Sequence, residues 1–238
     1  MKIVLIYLSL FLIVLVSGCR PNNSSAINSV SPTDVNEEEG TVIITDITRR
    51  EWDITHAVSE YYMKSKWFHF GIGIGAIPSV DNPRVLDQTS PDFPAPDYAI
   101  EIFGTNIDEE HRAYAKYELA RHEVFNDDYQ GAYYNKVAVC YCPLFNLAAV
   151  YDRYLEGRPL TFAPSGWTYG EHTGSSLFVL IDKESFSLWF PMEINRKRGL
   201  YCIAGKHADK YVPEVQELHR GTWHDWLITN PDTKFVTE

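Results

Sequence analysis

The four cysteines carry most of the reactive chemistry this sequence offers. Cys140 and Cys142 flank Tyr141, and residues two apart in a strand point to the same side, so both thiols would share one face. A Cys-x-Cys pair of this kind suits a soft ion such as copper(I). Cys202 sits in the strand-like Leu200-Tyr201-Cys202-Ile203-Ala204 and could join either thiol in a disulfide, which an exported protein can keep. One bridge would leave one thiol over; three buried thiols are the other arrangement these positions allow. Cys19 is different, because it closes Val16-Ser17-Gly18-Cys19 behind an apolar run and reads as a lipidation site.

His122-Glu123 is the next constellation. On a helix His122 and Asn126 would share one face and Glu123 and Asp127 another, which would allow general acid/base work by His122 and Glu123. A zinc-protease helix would need a second histidine where Asn126 stands. A helix-end histidine that bonds backbone and holds the following strand is the plainer expectation. Trp167-Thr-Tyr-Gly-Glu-His-Thr-Gly174, with glycines at 170 and 174, reads as a loop that turns a corner, and Tyr169, Glu171 and His172 lie in it. Trp223-His224-Asp225-Trp226 reads as an amphipathic turn capped by Thr222, with its tryptophans packed on a sheet. Gly71-Ile-Gly-Ile-Gly75 lacks the strand–turn–helix setting of a nucleotide fingerprint. Neither Gly174-Ser-Ser nor Pro164-Ser-Gly has the spacing of a serine nucleophile elbow.

These residues need elements to position them. Lys2 followed by the apolar run Ile3 to Val16 predicts a signal peptide over residues 1–18, too short to span a bilayer comfortably. The thioether-linked lipid at Cys19 would then be the anchor, with two or three acyl chains giving stable attachment where one would not. Arg20, rather than aspartate, follows that cysteine, which favours an outer-membrane destination over the inner membrane. Residues 19–40, rich in Asn, Ser, Pro and Glu, read as a disordered tether reaching on the order of 25 Å. Residues 41–238 form one domain of a size that fills a single core. Removing Lys2 takes the formal charge from −11 to −12, which argues against nucleic acid as a partner.

Within that domain the pattern predicts strands over Thr41–Ile47, Tyr98–Phe103, Val137–Tyr141, Ala148–Tyr151, Leu160–Phe162, Leu177–Ile181 and Phe186–Phe190. Helices are expected after an Asp53 cap, over Tyr117–Phe125 and over Thr222–Ile228. VLID-KES-FSLWF, ending at Phe190, is a hairpin signal. The fold class is α+β: a single domain, predominantly antiparallel sheet with a few short helices packed on it.

Motifs in a fixed order then point to kinship. Gly75-Ala-Ile-Pro-Ser-Val-Asp-Asn-Pro, Arg112-Ala-Tyr, His122-Glu-Val-Phe-Asn-Asp, Val139-Cys-Tyr-Cys-Pro-Leu, Val150-Tyr-Asp-Arg, Ser165-Gly166, Ser187-Leu-Trp189, Thr222-Trp and Asn230-Pro-Asp together resemble the domain of unknown function 3179 family over about Phe70 to Val236. The resemblance implies no established activity. It does imply a Cys-Pro-x-Cys segment, a spacing suited to a redox dithiol or half a metal site; here its second cysteine is Phe145. By position in the shared motifs, His122, Glu123 and Cys142 are the catalytic candidates. Cys140, Cys142, Cys202 and His122 are the metal candidates. Asn126, Asp127, Arg153, Ser165 and Trp189 are the ligand-binding candidates. The resulting expectation is a lipid-anchored envelope protein, its partners the bilayer and a protein or small ligand, with a non-enzymatic binding domain and no cofactor. The alternative is a thiol- or metal-dependent protein centred on Cys142 and holding a transition metal.

Overall fold

The computed structural model describes residues 34–38, 40–130 and 133–238. The segment expected to be a signal peptide, the expected lipidation site Cys19 and most of the expected tether lie outside these residues. Strands β1 (Asp34–Glu38), β2 (Thr41–Thr45) and β3 (Glu51–Asp53) form an antiparallel sheet in that order, and the short helix α1 (Thr55–Ser59) follows. The last part of the expected tether is therefore strand: Gly40, at a φ of 83°, turns the chain so that Asp34–Glu38 pairs with Thr41–Thr45. Asp53 ends β3 rather than capping the helix directly, although its carboxylate accepts from the Thr55 amide at 2.9 Å.

The chain continues through β4 (Phe68–Phe70), β5 (Val80–Asp81), β6 (Arg84–Leu86), β7 (Glu101–Ile107), β8 (Glu110–Ala115), α2 (Lys116–His122), β9 (Val124–Asp128), β10 (Lys136–Cys142) and β11 (Leu147–Asp152). After a small hairpin, β12 (Tyr154–Leu155) and β13 (Arg158–Pro159), come β14 (Phe162–Tyr169), β15 (Leu177–Asp182), β16 (Leu188–Ile194), β17 (Lys197–Ala204), β18 (Tyr211–Glu217), β19 (His219–Thr222), α3 (Trp223–Thr229) and β20 (Lys234–Thr237). One sheet has ten strands in the order β4-β14-β15-β16-β17-β18-β11-β10-β9-β5, and another has five, β19-β7-β8-β20-β6. The protein is a mostly-β domain with a curled, antiparallel-rich large sheet and few, short helices.

Side-chain alternation explains the layering. Ala138, Cys140 and Cys142 of β10 and Phe178 and Leu180 of β15 enter one central apolar cluster with Trp189, Leu200 and Cys202. The intervening Val139 and Tyr141 enter a second cluster under β7, β8 and α2, while Val179 and Ile181 enter a third under β2, β3 and α1. Both faces of these strands are buried, which is why they read as unbroken apolar runs rather than alternating ones. Trp223 and Trp226 of α3 pack with Ile102, Ala113 and Phe235 on the five-stranded sheet, and Gly104 leaves the space that the Trp226 ring occupies.

The expected helix over Tyr117–Phe125 stops at His122. Glu123 takes a left-handed backbone (φ 59°), and the chain turns into β9, whose run from Val124 to Asn126 pairs in register with β10. Sheet pairing thus overrides the helical spacing. Trp167, Thr168 and Tyr169, expected in a loop, belong to β14, so the loop starts only at Gly170 and Glu171 and His172 are exposed on it.

Candidate functional site

All three described cysteines are free thiols and buried, so the bridge considered for Cys202 does not form. Cys140 and Cys142 share a face as expected, and Cys202 joins them in the central cluster. Their sulfurs approach backbone carbonyls, Cys140 that of Ala138 at 3.7 Å, Cys142 that of Ser176 at 3.7 Å and Cys202 that of Ala204 at 3.3 Å. Burial pushes the Cys202 thiol up to about 12 and the Cys140 thiol well above its ordinary value. Cys142 is also raised by burial, but backbone amides of Phe145, Phe178 and Leu144 directed at its sulfur pull partly the other way. Among the described residues, no three His, Cys, Asp or Glu side chains group as metal ligands.

Because α2 ends at His122, the expected helical pairs with Asn126 and Asp127 are not made. The His122 ring bonds the Pro78 carbonyl at 2.8 Å through Nδ1; its Nε2 lies 2.8 Å from the Glu238 carboxylate, close enough for an ion pair but without hydrogen-bond geometry. His122 packs on Phe125, away from the cluster that holds the thiols. The Glu123 charge, by contrast, would raise the pKa of both Cys140 and Cys142. Burial alone pushes the Glu123 carboxyl to about 7.

The ligand-binding candidates serve the fold. Asn126 donates to Asp81 at 2.7 Å and to the Phe162 carbonyl at 2.8 Å, and accepts from the Phe162 amide at 3.0 Å, fastening β9 to β14. Asp127 accepts from Arg112 at 2.5 Å and from the Tyr114 hydroxyl at 2.6 Å; Arg112 also reaches Glu110 and the Asp128 carbonyl and covers the Tyr129 ring. Burial disfavours the Arg112 cation, but the Asp127 charge outweighs it and the pKa is raised. This is a closed, satisfied network. Arg153 is buried beside Asp128 at 3.4 Å, Ser165 donates to the Val179 carbonyl at 2.5 Å, and the Trp189 indole donates to Asp182 at 2.8 Å.

An open site lies elsewhere. A cleft of about 570 Å³ is bordered by Arg50, Glu51, Trp52, Asp53 and His56 on one side and by Ser185, Phe186, Leu188, Ala204, Gly205 and Ala208 on the other. Two buried aspartates shape its walls. Asp46 accepts from the Thr48 and Arg50 amides, the Thr48 hydroxyl and the Trp52 indole at 2.6–3.1 Å. Burial pushes its carboxyl up, but these bonds outweigh that and hold it below its ordinary value. On the far side Asp182 accepts from the Ser185 amide and hydroxyl and from the Trp189 indole. That turn holds Phe186 at a φ of 58°, a strained conformation for an aromatic residue.

Between the walls, the Arg50 guanidinium stands 4.6 Å from the Trp52 ring centroid and 4.5 Å from that of Phe186. Among the described residues it meets no carboxylate, whereas His56 is matched by Asp209 at 2.8 Å. A cation fixed by two rings is oriented for an incoming anion. The sequence gives no sign of this cleft beyond the hairpin turn that carries Ser185, because its walls come from segments far apart in the chain.

The family described as "Protein of unknown function (DUF3179)" matches residues 74–238. No curated protein and no solved structure matches the chain. The Ser185–Ala208 wall of the cleft falls inside the matched region, while the Arg50–Ser59 wall precedes it.

Proposed function

The chain belongs to the DUF3179 family, and from that premise we propose a lipid-anchored cell-envelope protein whose folded domain binds a ligand in the Arg50 cleft without transforming it. Attachment is through acylated Cys19 to a bilayer, the outer membrane favoured by Arg20. No helix of the described residues is long and apolar enough to cross a membrane. The observation that carries the binding reading is the Arg50 guanidinium, clamped by Trp52 and Phe186 in an open cleft and without a charge partner among the described residues. A cleft of about 570 Å³ falls in the range of small-ligand sites.

The test is a thermal-shift screen of the full chain in detergent against a mixture of small polar metabolites, run in parallel on Arg50→Ala. The binding reading predicts a melting shift in the wild type that Arg50→Ala loses. Equal behaviour of the two proteins would remove the cleft as the site.

A second reading, a thiol- or metal-dependent protein centred on Cys142, is favoured by one observation: Cys142 shares one buried cluster with Cys140 and Cys202. Elemental analysis with a free-thiol count on protein purified without chelator decides it. One equivalent of transition metal, lost in Cys142→Ala, would put this reading first.

A further inference from the structure

Four consecutive residues, Arg50 to Asp53, border the same cleft. Successive side chains of a strand point to opposite faces, so an unbroken run along one cavity means that the strand presents its edge to it. β3 has such an edge, because it is the last strand of its sheet and pairs only with β2. The hydrogen-bonding phase can be read from two bonds. The Asp46 amide donates to the Arg50 carbonyl at 3.0 Å and the Ile54 amide to the Val42 carbonyl at 2.9 Å. With the register Ile44↔Trp52 between them, Arg50, Trp52 and Ile54 turn their backbone groups toward β2. Antiparallel pairing alternates, so the N–H and C=O groups of Glu51 and Asp53 point outward along the cleft.

An edge of this kind accepts one sort of ligand directly: an extended backbone that adds as a further strand. The cation at its end sets the chemistry of that ligand. Arg50 precedes the strand, is held by Trp52 and Phe186, and has no carboxylate partner among the described residues. Its planar fork matches a carboxylate. Among the described residues Glu51 forms no ion pair, and Asp53 uses its side chain only on the Thr55 amide. A small free anion would leave both of these carboxylates facing it. A peptide places its carboxylate at Arg50 and neutral amides along Glu51 and Asp53.

We propose that the ligand of this cleft is a peptide bound as an added strand on the β3 edge, with a free C-terminal carboxylate on Arg50. The proposal rests on the reading of the cleft as a binding site and names its ligand class. It places recognition of the main chain in a segment outside the family-matched residues 74–238; the opposite wall, with Phe186, lies inside them.

The experiment titrates the full chain in detergent with a pool of N-acetylated tetrapeptides of randomised side chains, in three forms. One has a free C-terminal carboxylate, one a C-terminal amide, and one the free carboxylate with alternate backbone amides N-methylated. The free acid is expected to bind, the amide at least tenfold more weakly, and the N-methylated form not at all. Arg50→Ala should bind acid and amide alike. Absence of peptide binding, or binding indifferent to N-methylation, overturns the inference. If the metabolite screen still gives a shift that depends on Arg50, only the ligand class fails; if that shift is missing too, the cleft reading fails with it.

Discussion

Glu123 combines a left-handed backbone, a half-buried carboxyl raised to about 7 and a charge that would raise the pKa of two thiols. An unfolded glutamate titrates near 4.5. As pH rises from about 4.5 to 7 the unfolded chain releases this proton while the folded chain keeps it, so this group's contribution lowers stability across that window and levels off above it. Glu123→Gln removes that loss. Chemical denaturation should find the variant more stable than wild type at pH 8, by on the order of 1–3 kcal/mol, with the difference shrinking toward pH 4.5. Parallel curves from pH 4.5 to 8 would show that burial does not govern this carboxyl. At this scale the sequence was partly legible. The common face of Cys140 and Cys142 follows from strand period alone, whereas the fate of Asn126 and Asp127 depended on where α2 ends, and Glu123 leaves the helix because β9 must pair with β10.

Among the elements, the curl of the large sheet brings β9 near β14, and Asn126 closes the gap with bonds to both backbone groups of Phe162. Asn126→Ala would strand a buried N–H and a buried C=O, at a cost of about 3 kcal/mol. Equilibrium unfolding measures this directly, and a loss below about 0.5 kcal/mol, the ordinary range of a surface change, would show that Asn126 is not a clasp. Hairpins with local signals, such as the one joining β15 to β16, were legible because turn chemistry and strand alternation lie close together in sequence. The parallel pairing of β20 with β8 was not, since nothing local to either strand specifies a distant partner.

For the molecule as a whole, the layers explain which residues are free to act. The central cluster encloses all three described thiols, and the polar motif residues Asn126, Asp127 and Ser165 are consumed in holding strands together, while Arg153 lies buried beside Asp128 with its Nε unpartnered. Polar capacity is left at the seam between the three-stranded sheet and the large sheet, where Arg50 stands between Trp52 and Phe186. Composition and period were enough for a mostly-β domain, because burial on both faces shows as long apolar runs. The seam was invisible, because a cleft is a property of two surfaces and each segment alone reads as an ordinary turn. The central claim is that this cleft holds a ligand. Native mass spectrometry of the full chain, purified from the cells that make it, tests it most directly. The account predicts an added mass on the wild type, released on unfolding and missing from Arg50→Ala; the same bare mass for both proteins would contradict it.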